Sequence, residues 1–306
     1  MLTYTIRRLG SAIPLLFLLA AMTFFLLRLA PGGPFDGDRA WPPEVKANIE
    51  RQYGLDLPIH IQFGKWVYGA VQGDLKTSFQ FVDRPVTEII AGTLPVSIYL
   101  GTAALLFSIL VGVPLGAAAA ARQNTWIDNV AMFIATSGIS IPSYLVASLL
   151  VIVFALWLPW FPPALWEEPS SVVLPALTLA WRPMAMIARL TRASMLETFR
   201  ADFVRTAHSK GVPEAQVIFK HVLKNSLIPI ITLMGPIVAN LLTGSFLVEF
   251  VFEIPGMGKH FVHAVLNRDY PLVMGVTLVY AVILVASNMF VDLVYAWVDP
   301  RIRLER

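Results

Sequence analysis

Long uncharged runs alternate with short charged segments along the 306 residues of the chain. Each run is long enough to supply the roughly 20 apolar residues that one helix needs to cross a bilayer. The runs cover residues 9–27, 89–121, 129–166, 171–190, 225–248 and 270–291, and the fourth is interrupted by Arg182. The pattern predicts an all-α polytopic membrane protein with six transmembrane helices, one in each run.

The first run allows two interpretations, because Arg7 and Arg8 precede it as they would precede a cleaved signal peptide. The run is longer than the usual apolar core of about 7–15 residues in a signal peptide, and it lacks a convincing small-residue cleavage site. We therefore expect a retained first helix rather than a cleaved leader.

Charge decides the expected orientation. The composition is 57% hydrophobic and 14% charged, with a formal net charge of +3. In a membrane chain such an excess of Lys and Arg orients loops rather than binding nucleic acid, and no nucleic-acid partner is expected. Basic residues concentrate at both termini and between the fourth and fifth runs, so the termini and that segment are predicted to be cytoplasmic.

The segment between the first two runs has its own composition. We expect the chain to divide into a first transmembrane helix at 1–30, a small folded periplasmic cap at 31–93 and the remaining transmembrane domain at 94–306. Pro43 and Glu44 indicate the first turn of a helix in the cap that ends near Gly54. Ile61, Trp66, Val67 and Val71 are the expected buried positions of a second amphipathic piece. The cap is either a structural lid or a docking surface for a soluble partner.

The basic segment 190–226 is too long and too patterned for a bare connection between spans. An apolar stripe recurs at four-residue steps and predicts one helix; it consists of Met195, Phe199, Phe203 and Ala207. Gly211 breaks that helix, Pro213 suits the first position of the next, and Glu214 adds an acid to its first turn. Two short helices joined by a glycine follow, and from composition alone they are either a coupling device or an amphipathic surface that contacts lipid headgroups.

The stretch RTAHSKGVPEAQVIFKHVLKNSLIP resembles the cytoplasmic loop of ABC-importer permeases, in which Glu-Ala-Ala, three residues and then Gly form coupling helices that fit a groove of the ATPase. Here Arg and Thr replace the Glu and the first Ala of that triplet, and of the later Ile-x-Leu-Pro only Leu223 agrees. The oligopeptide and dipeptide permeases carry R-T-A-x-x-K-G-L/V-P, which this chain matches. The resemblance implies ATPase coupling by Arg205, Thr206, Ala207, Lys210, Gly211, Val212, Pro213 and Glu214.

The resemblance to the B-type subunit of these permeases extends along about 290 residues. It is carried in order by RLAPG, GDLKTSF, RPVTEII, IARLTRASM, EIPGMG, NRDYPLV and VDPRIR. It implies a C-type permease subunit as heterodimer partner, two ATPase subunits and a periplasmic peptide-binding protein. Relatives of this branch also move nickel chelates and other small solutes, so a non-peptide cargo is the alternative.

The chain has no sequence of the form G-x-x-x-x-G-K-[ST], so ATP and Mg are expected on the partner ATPases, and no catalytic, metal or cofactor site is expected in this chain. An ion-coupled secondary transporter would more naturally show inverted repeats and buried acids. An intramembrane enzyme would need a catalytic constellation that the loop histidines do not form. Candidate pathway residues are Arg182, Asn240, Thr243 and Ser245. Arg182 serves either a peptide carboxylate or a structural pairing, and the others serve either transport or ordinary helix packing.

Overall fold

The computed structural model describes residues 2–35, 43–81, 83–242 and 245–298. In these ranges the regular structure is helical, and the only β pairing is an isolated bridge between Thr77 and Pro85. The α-helices are α1 (Leu2–Leu29), α2 (Pro43–Gln52), α3 (Ile59–Val71), α4 (Val86–Ala121), α5 (Trp126–Ser140), α6 (Ser143–Val151), α7 (Val173–Thr198), α8 (Asp202–Ser209), α9 (Glu214–Gln216), α10 (Lys224–Leu242), α11 (Phe246–Val251), α12 (Met257–Leu266) and α13 (Tyr270–Val298). Ile152–Trp157 and Val217–Leu223 are π-helical, and Pro169–Val172 is a 3-10 turn.

Five helical segments of the described chain are long and apolar enough to cross a membrane, and a bent pair, α5 with α6, raises the number to six if it forms one span. The all-α polytopic fold is thereby confirmed. The prediction of one helix in the third run is wrong, because its two helices meet at an angle of 112°. Ile141 is extended, with φ −83° and ψ 124°, as expected for a residue before a proline. Pro142 has no N–H to continue the ladder, so the helix ends there.

The chain divides into two compact units, and the helices α4 and α13 contribute residues to both. One unit contains Leu2–Val96 and Pro255–Ile283, and the other contains Ser97–Ile254 and the chain from Leu284 onward. The predicted domain bounds 1–30, 31–93 and 94–306 stay a prediction.

The larger unit is built around α7. Its buried face carries small and branched side chains, among them Ala180 and Ile187, which pack in one cluster with Ile230 and Ile237 of α10. Small residues allow close approach of helix backbones where no hydrophobic effect drives association in lipid. Gly116 of α4 lies where such an approach occurs.

The smaller unit has a core of Phe24, Val86, Leu272 and Val276, all nearly or fully buried. The loop that joins α3 to α4 is held by Asp269, a fully buried residue just before α13. The Asp269 carboxylate accepts hydrogen bonds from the Ser78 hydroxyl, from the Phe79 amide at 3.1 Å and from the Leu272 amide at 3.3 Å.

The two helices predicted for the cap are present as α2 and α3, and Gly54 follows the first with φ +68°. Trp66 is buried at 6% exposure, as predicted. Ile61 and Val71 are 39% and 83% exposed, so their prediction as buried is wrong. Val71 is the last residue of α3, where the helix ends and its side chain has left the packed face.

We expect Gly116→Ala to destabilise the fold by about 1–3 kcal/mol, because the added Cβ would meet the Ala188 carbonyl and lie 2.7 Å from Cβ of Thr191. The measurement is unfolding of the detergent-solubilised protein followed by tryptophan fluorescence. Gly92→Ala, in the same helix with nothing within 4 Å, is the matched control and should be neutral or slightly stabilising. Equal loss in both variants would contradict the close packing at Gly116.

Candidate functional site

The chain turns sharply after α7 before it becomes helical again. Helix α7 ends at Thr198, and Ala201 is extended with φ −72° and ψ 146° before α8 begins at Asp202. The carboxylate of Asp202 lies in the first turn of α8, where it is favoured by the helix dipole. The predicted single helix through this region is therefore wrong, because the turn divides it into two.

The turn also changes which residues face inward. Met195 and Phe199 lie before α8 and four residues apart. Both pack into one apolar cluster, as predicted. Beyond the turn Val204 takes the buried position at 1% exposure, and Phe203 is 45% exposed. The four-residue spacing that placed Phe203 in the stripe holds only for an unbroken helix, so that prediction is wrong.

Gly211 ends α8 with φ +73°, a conformation that glycine adopts without steric cost. The Gly211 amide donates to the His208 carbonyl at 2.9 Å, and the Val212 amide donates to the Ala207 carbonyl at 3.2 Å. These two bonds form a Schellman motif, and Val212 packs in the same apolar cluster as Ala207. The predicted helix break at Gly211 is confirmed.

The second helix is longer than predicted. Pro213 lies one residue before α9 rather than inside it, and Glu214 is the first helical residue. From there the helix runs on through the π-helical segment into α10, so a separate short helix after Gly211 is wrong. Val217 and Val222 are both fully buried although they are five residues apart, which matches the i to i+5 repeat of a π-helix.

We call residues 202–216, from α8 to the end of α9, the bend segment. Of the residues proposed from the resemblance, Ala207 and Val212 face the protein, and the others are exposed: Arg205, Thr206, Lys210, Gly211, Pro213 and Glu214. The inward pair packs against the fold, and the outward group forms an exposed, largely polar surface around Gly211. This surface is available to a partner.

The exposed surface of the bend segment carries charges of both signs. Arg205 lies 3.7 Å from Asp202, and His208 lies 3.6 Å from Glu214 across the glycine. Both pairs are well exposed, so each contributes little to stability. Lys210 is exposed as well, as is Lys220 beyond the segment.

Two part-buried contacts lie near the bend segment. Oγ of Ser226, a fully buried residue of α10, lies 3.0 Å from Oγ1 of Thr198 at the end of α7. The second contact is an ion pair between α7 and α5. Nε of Arg192 lies 2.6 Å from Oδ1 of Asp128, and its Nη2 lies 2.8 Å from Oδ2.

The Arg192–Asp128 pair was missed in the sequence. The side chain of Arg192 is 24% exposed and that of Asp128 is 4% exposed. The backbone N–H of Asn124 also donates to the Asp128 carboxylate, at 2.9 Å. The sequence marks these two residues only as charges that flank long apolar runs. Because 64 residues separate them, no local pattern indicates that they form a pair. A planar, bidentate pair of this kind fixes the relative rotation of two helices.

The pathway candidates fall into two groups. Asn240 and Ser245 line one cleft of about 570 Å³, and Ser245 also accepts from the Val248 amide at 3.2 Å as the N-cap of α11. Asn288 of α13 lines the same cleft and was missed, because a lone Asn in an apolar run has no distinguishing spacing. Arg182 is exposed on α7 and does not line this cleft, and Thr243 lies outside the described residues.

In the described ranges no group of three or more His, Asp or Glu side chains is placed to hold a metal ion. The expectations of no catalytic residue, no metal and no cofactor in this chain stay predictions.

Apolar spans packed around α7 and an exposed helix–glycine–helix segment define an all-α multi-pass membrane protein. The chain belongs to the family described as binding-protein-dependent transport system inner membrane component, which matches residues 112–304. Residues 1–101 match the N-terminal part of such membrane components. Such permease components are not themselves enzymes, and the family places the chain in the inner membrane as a multi-pass protein.

Named relatives match along the full chain. The oligopeptide transport system permease protein OppB of Salmonella typhimurium is 43% identical, with 99% of this chain and 100% of OppB covered. OppB of Escherichia coli strain K12 is 42% identical with the same coverage. The dipeptide transport system permease protein DppB of Bacillus subtilis is 41% identical, with 100% of this chain and 99% of DppB covered.

We expect Asp128→Asn to lower the free energy of unfolding by about 2–3 kcal/mol, because Arg192 would keep a partly buried charge without its carboxylate. Thermal unfolding in detergent measures the change. Glu88→Gln is the matched control, since its pair with Arg84 at 2.9 Å is more than half exposed and should contribute less than about 1 kcal/mol. A loss no larger than the control's would show that the buried pair does not hold α5 to α7.

Proposed function

We propose that this chain is a permease subunit of an ATP-driven importer that passes oligopeptides or dipeptides from a periplasmic binding protein across the inner membrane by alternating access. Support comes from relatives that carry oligopeptide and dipeptide transport in their names and match the chain from end to end. The partners are a C-type permease subunit, two ATPase subunits that bind ATP and Mg, and the binding protein. Membrane lipid surrounds the spans.

The bend segment receives the movement of the ATPase. The observation that carries this assignment is the division of its residues, because Ala207 and Val212 are anchored inside while the polar group around Gly211 is presented outward. A rigid, exposed connector of this kind transmits force, whereas a helix that only touched lipid would present apolar residues outward.

Movement of the bend segment has a direct route into the spans. On one side α8 follows α7 after a short turn, and on the other the helix from Glu214 continues into α10. The Ser226 contact with Thr198 joins the two at their bases. Closure of the ATPases would therefore tilt α7 and α10 together and exchange an inward-open cavity for an outward-open one.

The proposed orientation puts both termini and the bend segment in the cytoplasm, since the basic residues concentrate there. The segment 31–93 then lies in the periplasm as a cap. Asn240, Ser245 and Asn288, with Thr243 and Arg182, are the proposed pathway residues. A polar side chain on an otherwise apolar span needs a water-filled cavity or a polar partner. The cleft of about 570 Å³ would serve as such a cavity for Asn240.

Gly211→Leu should reduce peptide uptake and substrate-stimulated ATP hydrolysis by about 5- to 150-fold, the range of a typical coupling free energy. A leucine at φ +73° strains the bend and moves the surface that the ATPase contacts. The measurement is uptake of a labelled peptide and ATP turnover by the reconstituted importer.

Gly73→Leu is the control, because Gly73 has φ +81°, has nothing within 4 Å and lies outside the bend segment. Its strain is similar, so its stability loss should be similar and its coupling normal. Arg205→Glu, which reverses an exposed charge of the bend segment, should also reduce coupling without unfolding. Normal coupling in both bend variants would exclude the proposed role.

Arg182→Ala should reduce uptake of peptides with an acidic side chain by about tenfold and leave neutral peptides unchanged, if the guanidinium meets a substrate carboxylate. Competition uptake with a panel of peptides differing in one side chain measures the pattern. Arg189→Ala, an exposed arginine on the same helix, is the control. An equal loss for all peptides would assign Arg182 a structural pairing instead.

A further inference from the structure

A cavity of about 740 Å³ lies in the smaller unit, and the proposed function does not use it. Its wall includes Arg28 in the last turn of the first apolar span and Tyr270 and Pro271 at the start of the last one. Phe24 and Met274, each about one turn inside its span, also line it. The cavity therefore lies at the level where hydrocarbon gives way to lipid headgroups.

The charged residues that line the cavity are mostly cationic. Besides Arg28 it contains Arg51, Lys65 and Lys76, and its one carboxylate is Asp56. Lys76 is paired with Asp74 at 2.7 Å, which also lowers the pKa of Asp74, chiefly through the hydrogen bond from the ammonium group. Within the described ranges, no carboxylate oxygen comes within salt-bridge distance of Arg28 or Lys65. The cavity thus has a local excess of positive charge.

Among the described residues, the hydrogen bonds of Arg28 go to neutral acceptors, one of which is the Phe24 carbonyl, 3.3 Å from Nη1. Its guanidinium carbon lies 3.4 Å from the ring centroid of Phe24 and 5.6 Å from that of Tyr270. Its Nε and Nη2 donate to Oε1 of Gln62 at 3.1 and 2.9 Å, a neutral acceptor. Gln62 is itself fixed, because its amide donates to the carbonyls of Leu55 and Leu57. A guanidinium held rigidly between aromatic rings, and without a carboxylate in the described chain, is preorganised for an oxyanion.

We propose that this cavity binds the phosphate-bearing headgroup of an anionic membrane phospholipid. The guanidinium of Arg28 and the ammonium of Lys65 contact the phosphodiester, and the ring of Tyr68, which also lines the cavity and is 69% exposed, contacts the glycerol and the first acyl carbons. A phosphodiester fits the planar donor geometry of arginine, and the apolar floor suits a lipid rather than a free anion. The site makes this lipid a structural ligand that ties the segment after the first span to the membrane surface.

The test is retention of phosphatidylglycerol by the purified full-length permease in its importer complex, measured by native mass spectrometry during titration with the lipid in detergent. Arg28→Gln and, separately, Lys65→Gln should weaken binding by about tenfold to a hundredfold, the effect of losing one charge-assisted hydrogen bond. Lys65 is exposed, so its variant should fold normally even if Arg28→Gln proves unstable.

Arg84→Gln is the matched control, since Arg84 is an exposed cation of the same unit that does not line the cavity. It should bind phosphatidylglycerol like the unsubstituted protein, and phosphatidylcholine should compete poorly. Equal binding by Lys65→Gln and Arg84→Gln would overturn the site. Displacement of the lipid by inorganic phosphate at the same concentration would overturn the lipid as its occupant.

Discussion

Hydrocarbon offers no hydrogen bonds and little stabilisation of charge, and this constraint governs how every span of the chain is built. The spans meet it with apolar helices whose hydroxyl groups bond to their own backbone, as the Ser108 hydroxyl does with the Ala104 carbonyl at 2.7 Å. One charge near a span is neutralised within the fold, that of Arg192 by the carboxylate of Asp128. Polar surface is then free to concentrate in the bend segment and in the segment after the first span.

The bend segment depends on this arrangement. A connector can transmit force only if its base does not yield, and the base here is fixed by a bidentate ion pair, a part-buried hydroxyl contact and an apolar cluster under α8. The exposed surface by contrast contains only weak pairs within itself. Rigid attachment and an unoccupied polar face are the two properties that a partner-driven lever requires, and neither alone would distinguish it from an ordinary surface helix.

Hydropathy predicted the positions of the spans because their length and charge exclusion are local properties of the sequence. Gly211 was predictable for the same reason, since a helix end with positive φ selects glycine. Phe203 was not, because a turn at 199–201 changed the helical phase without a glycine or proline to mark it. The contact between Asp128 and Arg192 could not be predicted either, since it joins residues that are far apart in the chain.

Arg192 and Arg28 show how the same residue type acquires different roles from its surroundings. Nε of Arg192 lies 2.6 Å from a carboxylate oxygen of its own chain, so its charge is neutralised by the ion pair that joins α7 to α5. Arg28 is stacked on Phe24 and bonded to a neutral amide, which orients the guanidinium without neutralising it. Orientation restricts the side chain's conformational entropy before any ligand arrives, so less entropy is lost on binding. A fixed cation of this kind at the edge of a span is organised to bind an anion from the membrane surface rather than to stabilise the fold by itself.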